Sequence, residues 1–547
     1  MSQCSKCVSW NKRGRYDLYC TDRALWQAMM SDHGTSSGGQ PECLTGEDEG
    51  RVWKYAMASR AHVVVDAADY FGLIREAMEK ARQRIFLIGW DFDSRILLTD
   101  GRRWWQRGRR KRFPAKLGSF ILFLVHRRST LEILLLKWNF SLVKSLFRGT
   151  MMVDLLRWAK HKRIDFKFDS AHPIGCSHHQ KIVVIDDKFA VCGGIDMTSD
   201  RWDTSEHISQ DPRRRRPTGR LYGPWHDVTM LMEGDVAGAL AELGRDRWKI
   251  AGGAEIAPCK PQNESPWPIA LRAEFHDVEI GIARTRGEYR DCPQVAEIEA
   301  LFVAQIERAE RFIYAETQYF ASRVIAEAIC ERLLEDDPPE IVIINPLTAD
   351  GWLEQVAMDT ARVRLLEVVR EADHAGRFHI YNPVTSASEP IYVHAKLTVV
   401  DDEILRIGSA NMNNRSMGLD SECDCFIDAA RPANRGNEEI VPTIRRLRER
   451  LLAEHCGVSP EVMAQALESH GSMAEAIESF AGEGKRLERL PLKDISEAGR
   501  ALGESELLDP ERPSEMFEPI ERRGLFRRKG RLMRMRLKEK WKGRKKR

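Results

Sequence analysis

The chain has 547 residues, of which 43% are hydrophobic and 31% charged. This length and composition exclude a small disulfide-stapled scaffold and a disordered chain, and they predict at least two core-sized units. The net charge is only +3, but the segment 522–547 holds 15 Lys and Arg against one acid, which leaves about −11 on residues 1–521.

The N-terminal residues lack the apolar region of a signal peptide, and no stretch reaches the roughly 18–20 apolar residues of a membrane-spanning helix. We therefore expect a cytoplasmic protein whose 12 cysteines are mostly free thiols. Cys4-x-x-Cys7 is similar to half of a zinc site, but no second close pair accompanies it. The sequence predicts no metal and no cofactor.

Short apolar stretches in the first half of the chain predict β-strands, and similar stretches recur in the same order in the second half. Those of the first half are 84–90, 132–138, 164–168 and 178–186. Those of the second half are 311–316, 340–344, 377–381 and 391–401. Helical patterns between them, at 67–82, 295–309 and 353–372, predict an α/β fold built from two similar units.

The two units are expected to pack their sheets together, and past about Val441 the pattern changes to helices without strands. The predicted organisation is a partly disordered arm (1–50), a first α/β unit (51–255), a second α/β unit (256–450), a helical annex (451–482), a linker (483–521) and a basic tail (522–547).

The last predicted strand of each half carries the same motif, His-x-Lys-x4-Asp-x6-Gly. Its residues are His179, Lys181, Asp186 and Gly193 in the first half and His394, Lys396, Asp401 and Gly408 in the second. Burying His and Lys in an apolar run is costly, so we expect an anion shared between the two halves to compensate them. Two imidazoles at one phosphorus suit a two-step displacement in which one attacks and the other transfers a proton, with no metal required.

The paired motif resembles that of the phospholipase D superfamily, and the resemblance spans roughly residues 52–450. Further segments, at 89–91, 224–228, 314–320 and 413–416, are similar to the phospholipid-acting branch, including bacterial phospholipase D and cardiolipin-synthase-like proteins. The resemblance implies two tandem phospholipase-D-like α/β domains around one shared active site, followed here by the helical annex.

The resemblance also implies roles for the reacting residues. His179 would be the nucleophile that forms a phosphohistidine, and His394 would be the general acid and base. Lys181, Lys396 and Asn411 would bind the phosphate.

Acids complete the candidate site. Asp227 and Glu422 are the candidates that orient the imidazoles, and the sequence leaves open which histidine each serves. Asp186 and Asp401 belong to the candidate catalytic set through the motif, although we expect them to brace the loop after each strand.

We expect a phosphodiesterase or phosphatidyltransferase that acts on phospholipids, of the phospholipase D or cardiolipin-synthase-like type, at the inner face of a membrane. The alternatives are a nucleic-acid phosphodiesterase of the same superfamily and a membrane-surface binding protein that has lost its activity. Nucleic acid is the less favoured partner, and the sequence does not indicate an oligomeric state.

Two basic segments bear on the partner. In the tail, Leu532, Met535 and Trp541 accompany the bases, which favours contact with an anionic membrane surface. Trp104 and Trp105 lie among bases in an insertion, a pattern that fits lipid headgroups, single-stranded nucleic acid or a solvated loop.

Overall fold

The structure is a computed structural model that describes residues 50–99, 114–138, 151–173, 175–290, 292–348 and 352–491, with the backbone alone at 352–360. The arm with Cys4 and Cys7, the insertion with Trp104 and Trp105, most of the predicted linker and the basic tail lie outside these residues.

The described strands follow the predicted repeat. They are β1 (Lys54–Val65), β2 (Arg84–Gly89), β3 (Glu132–Trp138), β4 (Ile164–Asp169), β5 (Ile182–Ile185), β6 (Phe189–Gly193), β7 (Trp225–His226), β8 (Val228–Gly234), β9 (Phe275–Arg286), β10 (Val295–Ala296), β11 (Phe312–Thr317), β12 (Phe320–Ala321), β13 (Glu340–Ile344), β14 (Phe378–Val384), β15 (Tyr392–Val393), β16 (Lys396–Val400), β17 (Ile404–Gly408), β18 (Met412–Asn413), β19 (Glu422–Asp428) and β20 (Arg486–Arg489).

The described helices lie between and after these strands. They are α1 (Ala67–Lys80), α2 (Leu117–Arg127), α3 (Met151–Ala159), α4 (Asp235–Ile250), α5 (Glu297–Arg308), α6 (Arg323–Leu333), α7 (Trp352–Ala372), α8 (Asn414–Gly418), α9 (Ile440–Cys456), α10 (Pro460–His470) and α11 (Met473–Ser479). No helix in this part of the chain is long and apolar enough to cross a bilayer.

Within the described residues, 16 strands join into one mixed sheet in the order β20-β14-β13-β11-β16-β17-β19-β9-β1-β8-β6-β5-β2-β3-β4, with β10 beside β9. At its centre β1 and β9 pair antiparallel, from Lys54 opposite Ile282 to Ala61 opposite Phe275. Outward from this pair, β8, β6, β5, β2, β3 and β4 of the first half match β19, β17, β16, β11, β13 and β14 of the second. The predicted α/β fold with an internal repeat is therefore confirmed.

The central strands β1 and β9 are among the strands that the sequence analysis missed, as are β6, β8, β17 and β19. Strands β1 and β9 have 12 residues each and carry charged side chains among their apolar ones, so neither has the short, continuous apolar run of a buried parallel strand. Each pairs with its neighbours along different parts of its length: β1 contacts β9 through Lys54–Ala61 and β8 through Ala58–Val65. These two strands join the halves.

Hydrophobic residues of both halves meet in a central cluster that includes Phe86 and Ile88 of β2, Tyr314 of β11 and Val342 of β13. Helices α4 and α9 contribute to the same cluster. Helix α4 follows β8, the neighbour of β1, and α9 follows β19, the neighbour of β9. Separate clusters lie under α1 and α2 in the first half and under α5 and α6 in the second. The halves therefore share one core as well as one sheet.

The helical annex begins as the sequence predicts. The Ser459 hydroxyl accepts a hydrogen bond from the amide of Val462 at the start of α10, and Gly471 ends that helix at φ 68°. The expectation of helices without strands is wrong at one place, because β20 pairs antiparallel with β14 at the edge of the sheet. Arg486–Arg489 thus forms a strand within the segment that was expected to be linker.

We predict that Gly281→Ala destabilises the junction of the two halves. Gly281 lies in β9 opposite Tyr55 and Phe426, and a Cβ atom there would lie 2.2 Å from the Phe426 ring. Overpacking of this kind lowers the free energy of unfolding by about 1–3 kcal/mol, measured by urea denaturation.

The control is Gly72→Ala in α1, where no atom lies within 4 Å of the added Cβ. Alanine is the better helix former, so this variant should gain about 0.5–1 kcal/mol. Wild-type stability of Gly281→Ala would contradict the close packing at the junction.

Candidate active site

The two motif histidines lie in segments that each bond to the backbone of the other half. The His179 amide donates to the carbonyl of Ser421 at 2.9 Å, and the His394 amide donates to the carbonyl of His226 at 2.8 Å. Strand β15, just before His394, also pairs with β7 of the first half. These crossed contacts bring residues from strands far apart in the sheet into one site.

Each imidazole is oriented by a carboxylate from the opposite half. Nδ1 of His179 lies 3.0 Å from both carboxylate oxygens of Glu422, and Nδ1 of His394 lies 2.7 Å from Oδ2 of Asp227. The structure thus pairs Glu422 with His179 and Asp227 with His394, an assignment that the sequence left open. Each of these two histidine–acid pairs therefore takes one member from each half.

The two carboxylates are held differently, and this explains a difference between the motif copies. Glu422 accepts hydrogen bonds from the hydroxyls of Ser409 at 2.5 Å and Ser416 at 2.7 Å. The first half has Gly194 where the second has Ser409, and a Cβ atom at Gly194 would lie 2.0 Å from Oδ1 of Asp227. The glycine therefore makes room for the shorter acid, whereas the serine supports the longer one.

The buried lysines also differ in their partners. Nζ of Lys181 lies 3.3 Å from Oδ2 of Asp196, while Nζ of Lys396 donates to the side-chain oxygen of Gln318 at 3.1 Å. Each ammonium also donates to the carbonyl oxygen of its own motif histidine. Lys181 therefore has a charged partner in its own half, and Lys396 has a neutral one.

Asn411 and Asp196 occupy matching places in the two copies. The side-chain oxygen of Asn411 is buried and has no hydrogen-bond partner among the described residues. Oδ1 of Asp196 instead accepts from the amide of Trp90 at 3.1 Å. Asn411 is the member of this pair whose side-chain N–H groups can donate to a phosphate oxygen, whereas the carboxylate of Asp196 can only accept.

Burial and positive charge control the protonation of the site. Burial and the charges of Lys181 and Lys396 hold the pKa of His179 well below its usual value. Burial, Lys396 and Arg201 do the same to the pKa of His394. Burial also lowers the pKa of Lys396 to about 7. The basic groups of the site therefore carry fewer protons than they would hold in water, and a bound anion would restore these protons.

The acids shift in the opposite direction. Burial raises the pKa of Glu422 to about 8 and that of Asp227 to about 7. Because burial disfavours the charged form of every group here, the pKa values of Asp227 and Lys396 are both about 7, whereas those of the two histidines fall below those of their acids. Asp227 and Lys396 can therefore exchange a proton at neutral pH with little cost.

The sequence analysis missed Arg201, which has no motif signal. Its guanidinium lies 4.2 Å from the ring centre of Trp225, and that ring lies 5.1 Å from His394. Trp225 is also stacked on Tyr392 at 4.6 Å. Trp90, from the conspicuous 89–91 segment, meets the His179 ring edge-on at 6.2 Å. Aromatic rings thus lie beside both imidazoles.

The motif aspartates lie at the other end of their strands. Asp186 accepts from the amides of Arg82, Gln83 and Arg84, each at 2.7 Å, just before β2. Asp401 accepts from three successive amides, 310–312, just before β11. The candidate catalytic set therefore divides in space: the His and Lys residues gather at the site, whereas these two carboxylates hold the starts of neighbouring strands.

Comparisons with known proteins identify the family that the chain resembles. A sequence model of the family described as Phospholipase D matches residues 77–326 and 371–483. Phospholipase D1 of Saccharomyces cerevisiae is 24% identical over 82% of this chain and 31% of its own length. Phospholipase D A of Dictyostelium discoideum is 24% identical over 73% of this chain and 36% of its own length. The chain thus spans about a third of these relatives.

Among solved structures, a phosphatidylserine synthase of Haemophilus influenzae is similar with a TM-score of 0.48 and 11% sequence identity. The similarity covers 79% of this chain and 97% of that protein.

We predict that the site binds a phosphate-like dianion with net proton uptake. The pKa values of both histidines and of Lys396 are lowered in this site. A bound dianion favours the protonated form of each of these groups, so their pKa values rise on binding. Affinity for tungstate, which stays a dianion, should therefore increase as the pH falls between about pH 8 and pH 6. Calorimetry in buffers of different ionisation enthalpy measures the uptake.

Lys396→Met should lose most of the affinity and part of the proton uptake, whereas Lys162→Met, at an exposed position, should retain both. Tungstate affinity that does not depend on pH, or that is accompanied by proton release, would contradict the electrostatic description of the site.

Proposed function

The chain belongs to the phospholipase D family, and on this basis we propose that it cleaves or exchanges the headgroup phosphodiester of a phospholipid. The observation that carries the proposal is the pair of imidazoles, each bonded through Nδ1 to an acid of the other half, beside Lys181 and Lys396. This arrangement leaves Nε2 of both rings for the substrate.

The proposed reaction has two steps. Nε2 of His179 attacks the phosphorus and forms a P–N bond, while the P–O bond to the leaving alcohol breaks and His394 gives its proton to that oxygen. Water or an acceptor alcohol then attacks the phosphorus, His394 takes its proton, and the P–N bond breaks. Glu422 and Asp227 stabilise the imidazolium forms, as a buried acid does in other histidine-based sites.

Fixed donors hold the non-bridging oxygens during both steps. Lys181, Lys396 and the amide of Asn411 supply positive charge or N–H groups at a site that excludes water. Donors of this kind, already in place before the reaction, stabilise the charge that develops on the phosphoryl oxygens.

Two facts support a phospholipid substrate. The curated relatives described above carry the name phospholipase D, and the rings of Trp90 and Trp225 lie beside the histidines, with Tyr392 stacked on Trp225. Transfer to an alcohol, as in a cardiolipin-synthase-like reaction, shares the first step with hydrolysis. We propose that the choice of acceptor distinguishes the two outcomes.

We predict that His179→Ala lowers turnover by roughly 10⁴-fold or more, because it removes the nucleophile. His394→Asn should accumulate a phosphorylated His179, because the second step lacks its base. Incubation with mixed phospholipids, with and without glycerol or ethanol, followed by mass analysis of lipids and protein, measures both effects and identifies the acceptor.

The matched control is His178→Gln. His178 is the neighbouring histidine, but its ring bonds to Ser421 at 2.8 Å and lies 2.9 Å from Asp169, so it is not bonded to either orienting acid. Its activity should stay within about tenfold of wild type. Wild-type turnover in His179→Ala would refute the mechanism, and cleavage of an oligonucleotide in place of lipid would refute the substrate.

The basic tail is proposed to bring the protein to an anionic membrane surface, on the cytoplasmic face. Residues 1–521 carry about −11, so attraction to such a surface must come from the 15 bases of 522–547. Each base near an anionic leaflet contributes about 1 kcal/mol.

We predict that deletion of 522–547 weakens sedimentation with anionic vesicles and leaves turnover of a short-chain soluble substrate near wild type. The attraction is screened over a Debye length of about 8 Å, so wild-type binding should also fade as salt rises. Undiminished vesicle binding by the truncated chain at low salt would show that the tail is not the membrane contact.

A further inference from the structure

A second buried polar cluster begins one residue from Asp227. It consists of Asp66, His207, His226 and Glu454, which we call the His207 cluster. The side chains of Asp66, His207 and His226 are at most 1% exposed, and that of Glu454 is 7% exposed. The reaction proposed above uses none of them.

The spacing within the His207 cluster is that of ligands around one ion. Oε1 of Glu454 lies 3.2 Å from Nε2 of His207 and 3.0 Å from Nδ1 of His226. Oδ2 of Asp66 lies 3.6 Å from Nε2 of His207, and Oδ1 of the same carboxylate lies 3.5 Å from Nδ1 of His226. Ligands about 2.0–2.1 Å from a tetrahedral zinc ion are about 3.3–3.4 Å apart. The Asp66 distances are longer than hydrogen bonds but fit this geometry.

Both histidines have a second carboxylate on the opposite side of the ring. Nδ1 of His207 lies 3.0 Å from Asp203, and Nε2 of His226 lies 2.8 Å from Glu316. Histidines that bind a metal usually donate their other N–H to a carboxylate, which orients the ring. A neutral imidazole can donate its one N–H to the outer carboxylate, which leaves its other nitrogen free to bind a cation at the centre of the cluster.

Asp66 gives independent support. It precedes α1 at φ 65°, a conformation that is costly for a residue other than glycine, yet its side chain makes no capping hydrogen bond to that helix. Its Oδ2 is buried and has no hydrogen-bond partner among the described residues. The backbone is thus held in a strained conformation that directs a carboxylate oxygen into the cluster.

The cluster is rich in negative charge. Four carboxylates face it, those of Asp66, Asp203, Glu316 and Glu454. The fixed cations that the described residues place against them are Arg214, 3.1 Å from Asp203, and Lys485. The two remaining negative charges would be balanced by one divalent cation, which replaces the protons that His207 and His226 otherwise take up.

We propose that Asp66, His207, His226 and Glu454 bind one divalent transition-metal ion, with the nitrogen and oxygen ligands favouring Zn²⁺. A cavity of about 890 Å³ lined by Glu454, Lys485 and His62 gives the ion a route from solvent. The site departs from the sequence expectation of a protein without metal, and it is separate from the phosphate site.

The ion would position Asp227. The Asp66 amide donates to the carbonyl of Asp227 at 2.8 Å, and Oδ1 of Asp66 accepts from the Asp227 amide at 3.2 Å. His226 is the adjacent residue, and Glu454 attaches α9 to the same point. Ligation would therefore fix the acid that orients His394, which makes the four ligands positioning residues.

Elemental analysis of the full chain, purified without a metal-affinity column, should find about one zinc per chain. After removal of the metal with a strong chelator, added Zn²⁺ should raise the unfolding temperature by several degrees. Co²⁺ in its place should give visible bands of tetrahedral nitrogen and oxygen ligation, without the near-ultraviolet band of a thiolate.

Asp66→Asn and His207→Asn should lower metal occupancy at least about tenfold. The controls are His62→Gln, in the cavity but outside the His207 cluster, and Cys4→Ser with Cys7→Ser, which removes the cysteine pair that is similar to half of a zinc site. Both controls should retain the metal. Turnover in the metal-free protein should fall through kcat with little change in KM, as expected of a positioning role.

The proposal would be overturned if the wild-type protein contained no metal and its unfolding temperature did not change with Zn²⁺ or Co²⁺. This test does not depend on whether the variants fold. Metal that disappears with Cys4 and Cys7 but survives Asp66→Asn would also overturn the proposal. Occupancy and thermal shift do not depend on the substrate, so failure of this proposal is distinguishable from failure of the proposed function.

Discussion

Glu422 and Asp227 each orient the histidine of the other half, and the rest of the active site depends on this exchange. A half alone would leave an imidazole without its acid and a buried carboxylate without its partner, and both are costly away from water. The continuous sheet through β1 and β9 and the shared hydrophobic cluster hold the two halves in the register that the exchange needs.

Burial gives the same residues their chemistry. It lowers the pKa of both histidines and of Lys396 while it raises those of Glu422 and Asp227, so Lys396 and Asp227, whose pKa values are far apart in water, become close in proton affinity. The site is thus prepared for an anion that restores protons to its bases. In the proposed reaction the phosphodiester supplies this negative charge. Its binding would favour the protonated form of His394, which donates a proton in the first step.

The two motif copies have diverged around this common plan. Gly194 leaves space for Asp227, whereas Ser409 donates to Glu422, and Asp196 neutralises Lys181 where the second half has Asn411. Such differences suit two histidines with different tasks, because a nucleophile and a proton donor need different surroundings. The proposed metal site adds a further asymmetry, since it lies only beside Asp227.

The sequence by itself determined the α/β repeat, most of the flanking strands and the paired His and Lys residues, because short apolar runs and a motif repeated at one spacing are local signals. Tertiary structure alone decided the pairing of each histidine with its acid, the place of Arg201 and the meeting of Asp66, His207, His226 and Glu454. These residues are far apart along the chain, and only the antiparallel pairing of β1 with β9 and the crossed contacts of the two halves bring them together. A contact between residues far apart along the chain produces no periodic pattern in the sequence, whereas a buried strand produces one.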